Sequence, residues 1–280
     1  MPSLLAERTE AGINPRQAVA AGNVKAERIG RGRALRVLRG SIGIAALAAV
    51  WQIAPNAGLV DPYFVSPLNE VLVAWWDLLV SGQLWTHLSA SLIRSGAGFG
   101  LAVAIAVPLG TAIAWYRPVR EVVSPVLELF RNTAALALLP VFVLILGIGE
   151  TSKIAIVLYA CFFPILLNTI SGVQSVDKQL LRSARVLGLS PLTTFRKVVF
   201  PAALPTIFTG IRIAGAAAIL VLIAAEMIGA TAGLGYLINY SQYNFLIPQM
   251  YAAIITTTAL GLVVNYGLVS IERRFSRWRA

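Results

Sequence analysis

Six long apolar runs constrain this chain more than any other feature of its 280 residues. They cover about Val37–Ala57, Leu92–Trp115, Val122–Leu146, Ile154–Gly172, Ile207–Ala230 and Ala252–Ile271. A helix needs about 20 mostly apolar residues to cross roughly 30 Å of hydrocarbon. In that medium only helices and closed barrels satisfy every backbone N–H and C=O, and long runs without alternation suit helices. The first run is the weakest, with Arg39 near its start and Pro55 near its end. Composition agrees. The chain is 58% hydrophobic and 12% charged with mean hydropathy +0.77, whereas a soluble domain carries about 25% charged residues. The expected fold class is therefore an all-α membrane protein of about six transmembrane helices. Pro140 and Pro164 should break the third and fourth. Gly96, Gly100, Ala104 and Pro108 recur four apart in the second, a spacing that lets helix backbones approach closely.

The net charge of +11 does not point to nucleic acid, because the basic residues are not interleaved with stacking aromatics. Their distribution follows topology instead. Eight Lys and Arg lie up to Arg39, two in 116–121, five in 174–205 and four in the C-terminal tail, nineteen of 23. Cytoplasmic loops concentrate Lys and Arg, so both termini and the 174–205 loop are expected in the cytoplasm. Residues 1–36 read as a disordered basic cytosolic tail without the design of a signal peptide, 37–271 as the transmembrane domain, and 272–280 as a second cytosolic tail. On the opposite side, Gly58–Ser89 carries Asp61, Glu70 and Asp77 and no Lys or Arg. Within it Val71, Leu72, Trp75, Leu78 and Leu79 repeat at helical spacing beside Trp76 and Trp85, which suggests a helix lying in the outer interface.

Candidates for chemistry are few. His87 is the one histidine and Cys161 the one cysteine, so there is no metal cluster, Ser/His/Asp set or internal disulfide to assemble. His87 is expected as a polar residue at the membrane surface. Gly147–Lys153, GIGETSK, lacks the G-K-[S/T] ending and preceding strand of a phosphate loop and reads as a short external turn. Ionisable groups inside spans are costly and each is a candidate for function. Arg94 and Glu226 lie at matching depth near the outer ends of spans two and five. Either they pair and close the outer side, or each faces water or headgroups separately. Glu128 and Arg131 stand three apart in span three, close enough to pair along one helix face. A free Arg131 or Arg212 facing the pore would instead attract an oxyanion such as a sulfonate. Pairing of Arg131 with Glu128 is the expectation.

Between the fourth and fifth runs lies Asp177–Pro205, with six of the charged residues: Asp177, Lys178, Arg182, Arg185, Arg196 and Lys197. It reads as two short helices joined by an elbow. Leu180, Leu181, Ala184 and Leu187 give the first an apolar face. Gly188 suits a left-handed C′ position, and Ser190-Pro191 supplies an N-cap followed by proline at N1. Phe195, Val198 and Val199 would form the second apolar face until Pro201 and Pro205 interrupt it.

Ser183-Ala184, Gly188 and Val198-x-Phe200-Pro201 resemble the "EAA" loop of bacterial ABC importer permeases. Arg182 stands where that pattern has Glu, and Ser183 where it has the first Ala. From about Leu59 onward, GLVDPYFVSP, HLSASLIRSGAGF, LLPVFVLILGIGETSKI and AAEMIGATAGLGYLI resemble permeases of the nitrate/sulfonate/taurine/bicarbonate branch. One departure is Ala134-Ala135, where relatives often hold proline, which suggests a softer kink. The resemblance implies the type I importer fold in a bacterial inner membrane. It also implies a second permease chain, expected as a homodimer, two cytosolic ATPases that carry the ATP and Mg, and an extracytoplasmic solute-binding protein. Arg182, Ser183, Ala184, Arg185, Gly188 and Pro201 would then couple the chain to the ATPase, with Arg94, Arg131, Arg212 and Glu226 as candidates for the pathway or gate. No cofactor is expected in this chain.

Two other classes compete. A membrane-embedded transferase would need clustered His, Asp, Glu or Ser at one membrane face, and an ion-driven transporter would show repeats and midplane acids. Neither pattern is present in the sequence. Within the importer reading the solute is expected to be a small anion of the sulfonate, taurine or nitrate class, with an uncharged heterocycle such as a pyrimidine precursor as the alternative.

Overall fold

Apolar runs with small residues on one stripe dictate helices that pack closely, and the described chain is built from these. The structure, a computed structural model, describes residues 42–61 and 63–275. The basic tail 1–36, the start of the first run and the last five residues lie outside them. Every regular element among the described residues is helical. The chain divides into two compact units, Met1–Leu68 and Asn69–Ala280. The first contains helix α1 (Ile42–Asn56), which is shorter than a full span.

The second unit follows α2 (Leu68–Val80) with α3 (Gln83–Trp115), α4 (Arg117–Arg131), a 3₁₀ turn (Ala135–Leu138) and α5 (Leu139–Leu146). Then come α6 (Glu150–Gln174), α7 (Lys178–Val186), α8 (Pro191–Thr194), a π turn (Phe195–Val199), α9 (Phe200–Glu226), α10 (Leu234–Tyr243) and α11 (Ile247–Phe275). Among the described residues four helices are long and apolar enough to cross a membrane: α3, α6, the continuous Pro191–Glu226 and α11. The bent pair α4 and Ala135–Leu146 makes a fifth if counted as one span.

The core is the seam where α6 packs between α3 and α9. Ala102, Ala106, Val157, Cys161, Ile165, Ala203 and Ala214 are buried there. The close-approach stripe on α3 is not the expected one. Gly96 and Gly100 face open space, whereas Gly98, Ala102, Ala106 and Gly110 are buried. A Cβ on Gly98 would meet the Ile154 carbonyl oxygen at 2.8 Å, and one on Gly110 would meet Thr169 at 2.9 Å. A four-residue repeat of small side chains has two registers in this stretch. Exposed Ile93, Leu101 and Leu109 accompany the outer one, and Arg94 lies in the inner one, so burying the charge selects the register.

Prolines act differently from expectation. α6 runs unbroken through Pro164: the ring leaves the Ala160 carbonyl without its helical N–H, but in hydrocarbon a break would leave still more backbone groups without partners. The break in the third run falls at Asn132–Ala134, upstream of Pro140, with an 86° bend. The kink is sharp despite Ala134-Ala135, since Ala134 is extended (φ −64°, ψ 116°) and Pro140 opens α5, where its missing N–H is least costly. Pro201 and Pro205 likewise fail to interrupt α8–α9. The π turn shifts pairing by one residue, with the Phe200 N–H donating to the Phe195 carbonyl, so that Pro201 enters at the new first turn. α11 continues to Phe275, so the first residues of the expected C-terminal tail, Glu272–Phe275, are helical.

Candidate functional sites

The best-defined polar site is a cluster of charges where α3, α6 and α9 meet the 227–233 turn. Arg94 lies in the packed stripe of α3, one turn before Gly98, and its side chain is 3% exposed. Its Nη1 donates to Glu226 Oε1 at 2.7 Å and to the Ala232 carbonyl at 2.6 Å. The other edge of the guanidinium forks onto Glu150, with Nη2 to Oε1 at 2.5 Å and Nε to Oε2. Glu226, whose side chain is fully buried, ends α9. Its carboxylate also accepts from Ser91 Oγ at 2.8 Å and the Gly235 N–H at 3.0 Å. Ser91 in turn accepts from the Leu234 N–H at 2.9 Å. Nearby, buried Lys153 donates to the carbonyls of Gly149 and Gly229 at 3.1 and 3.2 Å. Arg94 and Lys153 thus balance Glu150 and Glu226, and the buried members have hydrogen-bonding partners as desolvated charge requires.

Glycine makes this closure fit. Gly233 sits at φ 121°, and a Cβ there would collide with the Glu226 carboxylate. A Cβ on Gly235 would meet the Ile223 carbonyl and Glu226 Cβ. The stretch GATAGLG therefore wraps the turn directly onto the buried acid. His87 belongs to this neighbourhood too: its Nδ1 accepts from the Gly233 N–H at 3.2 Å and its ring lies 5.6 Å from Tyr236.

Sequence reasoning missed Glu150, Lys153 and Ser91. GIGETSK is a turn only at 147–149; Glu150 starts α6 and Lys153 completes its first turn, buried inside the protein. An acid after glycine at the head of an apolar run is a helix-start signal that could have found Glu150.

The remaining ionisable candidates separate. Arg131 and Glu128 form no ion pair although both lie in α4 three residues apart, which overturns the expected pairing; Arg131 is the last residue of α4, at the break, and its side chain turns to the cavity there. Arg131 instead lines a cavity of about 420 Å³ with Phe130, Thr133, Tyr159, Phe163 and Asn168. Arg212 is not free. It pairs with Glu272 of α11 at 3.4 Å.

The loop 177–205 forms the elbow. Asp177 caps α7 by accepting from the Gln179 N–H at 2.8 Å. At the other end Gly188 takes φ 68°, the Leu189 N–H reaches the Ala184 carbonyl at 3.1 Å, and the Gly188 N–H reaches that of Arg185 at 3.0 Å. These two bonds are a Schellman motif. Ser190 then caps α8, accepting from the Thr193 N–H at 3.3 Å, with Pro191 at N1. Only Ala184 of the expected apolar face is fully buried and Leu181 half-buried; Leu180 and Leu187 are exposed, since α7 touches the body of the protein with a narrow stripe. Arg182, Ser183, Arg185, Val186 and Pro201 are exposed as well.

Comparison with known proteins places these features. The family model for the inner membrane component of binding-protein-dependent transport systems matches residues 102–277. This chain belongs to that family. It is 35% identical over 244 residues to the taurine transport system permease protein of Escherichia coli, covering 85% of this chain and 89% of that one. It is 28% identical over 247 residues to the formylaminopyrimidine transport permease protein of Halalkalibacterium halodurans, covering 88% and 98%. Among solved structures, an inward-facing methionine ABC transporter superposes with TM-score 0.57 at 21% identity, covering 71% of this chain and 97% of that one, which shows the same fold. This permease is thus a multi-pass inner-membrane component of an ABC importer, and its family consists of transport subunits rather than enzymes. Membership implies an ATPase and a solute-binding protein as partners.

Proposed function

We propose that this permease carries a small alkyl or aminoalkyl sulfonate by alternating access, as one of two identical chains above two ATPases. The observation that carries the solute class is the cavity at the α4–α5 break. Arg131 is the one charged residue among those lining it, no carboxylate lines it, and Thr133, Tyr159 and Asn168 add polar atoms. A guanidinium presents paired donors that match a sulfonate, and an aromatic wall suits a short alkyl body. The taurine permease relative supports the same chemistry, taurine being an aminosulfonate. The formylaminopyrimidine permease relative favours the uncharged-heterocycle alternative, but at lower identity and without a use for Arg131.

The elbow is the coupling element in this reading. Both termini and the elbow face the cytosol, and Arg182, Ser183, Val186 and Leu187 present an exposed, partly apolar face for an ATPase groove. The Arg94–Glu226–Glu150 cluster is the outer latch, holding α3, α6 and α9 together until the helices rearrange.

Uptake of labelled taurine and alkylsulfonates by reconstituted importer tests the reading. Arg131→Gln is expected to reduce sulfonate uptake by about tenfold or more, the loss of one charge-assisted hydrogen-bonded contact, while assembly and ATP hydrolysis persist. Unchanged sulfonate uptake by that variant, or uptake of an uncharged pyrimidine in preference to sulfonates, refutes the solute assignment.

A further inference from the structure

A second basic cavity, separate from the Arg131 chamber and the outer latch, lies behind the elbow. We propose that it holds the headgroup of an anionic phospholipid, so that the lipid bears on the element that couples the permease to its ATPase. The cavity encloses about 560 Å³, within the range of ordinary ligand sites. Its cations are Arg120 from α4 and Lys178 and Arg185 from α7, and no Asp or Glu lines it. None of the three has a carboxylate partner among the described residues. Neighbouring Arg117, by contrast, is bound to Glu121 at 2.9 Å. Three unpaired cations around one hollow call for an anion.

The rest of the lining says which anion. Trp115, Val173 and Leu189 are among an apolar set that continues from the membrane ends of α3 and α6 into the hollow. A free phosphate would leave that surface wetted and unused. A phospholipid satisfies both halves, with a phosphodiester against the cations and glycerol and acyl carbons against the apolar wall. Basic residues at the cytoplasmic membrane surface attract anionic headgroups in the same way.

The arrangement also divides the labour on α7. Lys178, Leu181 and Arg185 recur at i, i+3 and i+7 and face the hollow. Arg182 and Val186 lie on another face, exposed. Arg185 therefore belongs to the lipid side of this helix, and the ATPase would meet Arg182, Ser183 and Val186. The proposal rests on the cytosolic placement of the elbow and is independent of the transported solute.

The test uses the assembled importer, permease with ATPases, by native mass spectrometry in mixed detergent micelles. The wild-type complex should retain phosphatidylglycerol in preference to phosphatidylcholine. Each neutralised cation should weaken retention by about fivefold, so Arg120→Gln with Lys178→Gln should lose roughly twentyfold or more. Arg117→Gln, which removes an exposed cation of the same turn of α4 that already has a partner, should leave retention unchanged. Millimolar inorganic phosphate should not displace the lipid. The proposal is overturned if phosphatidylcholine is held equally, if the double variant keeps its lipid, or if Arg117→Gln loses as much as the double variant. Displacement by phosphate would make the site a plain anion site. Loss of the ATPase from the double variant, with lipid retained, would give the hollow to an acidic segment of the ATPase.

Discussion

The charge cluster makes an asymmetric prediction, because its three main members differ in access to water. Consider Arg94→Met. Glu226 would keep Ser91 and the Gly235 N–H but lose its counter-ion, in a place where its side chain has no solvent exposure. Removing one partner of a buried pair costs about 3–5 kcal/mol. Glu150 would add little, since its side chain is 62% exposed and can be rehydrated. At ~2–4 °C per kcal/mol for a chain of this size, Arg94→Met should lower the unfolding midpoint by about 6–20 °C. Glu150→Gln leaves Arg94 paired with Glu226 and should cost about 1 kcal/mol or less, as pairs open to solvent do.

The decisive variant is the double one. Arg94→Met with Glu226→Gln removes both members of the buried pair and leaves Glu150 and Lys153 in balance. The Gln carbonyl oxygen can still accept from Ser91 and Gly235. The double should therefore be more stable than Arg94→Met alone by about 2 kcal/mol, within the usual range of coupling energies for contacting residues. The assay is thermal unfolding of the assembled importer in nanodiscs, followed by tryptophan fluorescence. A double variant as unstable as the sum of the two singles would refute the argument that Glu226 is buried against Arg94. So would Glu150→Gln destabilising as much as Arg94→Met.

Other expectations follow from single geometries. Gly188→Ala places a Cβ in the left-handed region at φ 68° and should cost about 1–2 kcal/mol in the elbow, weakening ATPase association measured by co-purification. Gly235→Ala drives a Cβ into the Ile223 carbonyl and Glu226 and should abolish accumulation of folded protein, whereas Gly261→Ala, which meets open space, should accumulate normally on immunoblot. Arg212→Gln breaks a 3.4 Å pair whose arginine side chain is 40% exposed, so the midpoint should fall by no more than about 4 °C and sulfonate uptake should hold.

Much of the elbow could be read directly from residue identity, because its signals are local. Asp177, Gly188, Ser190 and Pro191 each dictate a backbone event within four residues of themselves, and each occurs where the type of residue requires it. Signals that depend on partners were less readable. Whether Gly98 or Gly96 faces a neighbour depends on α6, which the α3 sequence alone does not contain. Pro164 and Pro205 look like breakers because aqueous rules release the backbone to water, and a helix buried among helices in hydrocarbon has no such alternative. Arg94 and Glu226 were conspicuous as charges in apolar runs, whereas Glu150 hid in a segment that looked like a loop, so the third corner of the cluster emerged only when the start of α6 was placed.

The two sites are also mechanically one. Pro191–Glu226 is a continuous helix of 36 residues, about 54 Å long at 1.5 Å per residue. Its first residue closes the elbow and its last is the buried acid of the outer cluster. On the proposed reading the ATPase grips one end of a rod whose other end is the latch. Hydrogen bonds at 2.7–3.0 Å to Glu226 tolerate displacements of well under an ångström before they weaken. A rod rotated at its cytosolic end by only a few degrees moves its far end by more than that, so the latch cannot stay intact through a rocking motion unless the rod bends. The π turn at Phe195–Val199 is the one place along it where backbone pairing departs from the α pattern, and it lies within a turn of the elbow. A bend there would absorb the elbow's rotation before it reached Glu226, so on the proposed reading opening of the latch requires the π turn to stay stiff during the step. With the π turn stiff, the proposed rocking step would load Glu226, and the buried charges would make it a switch between two arrangements rather than a gradual deformation.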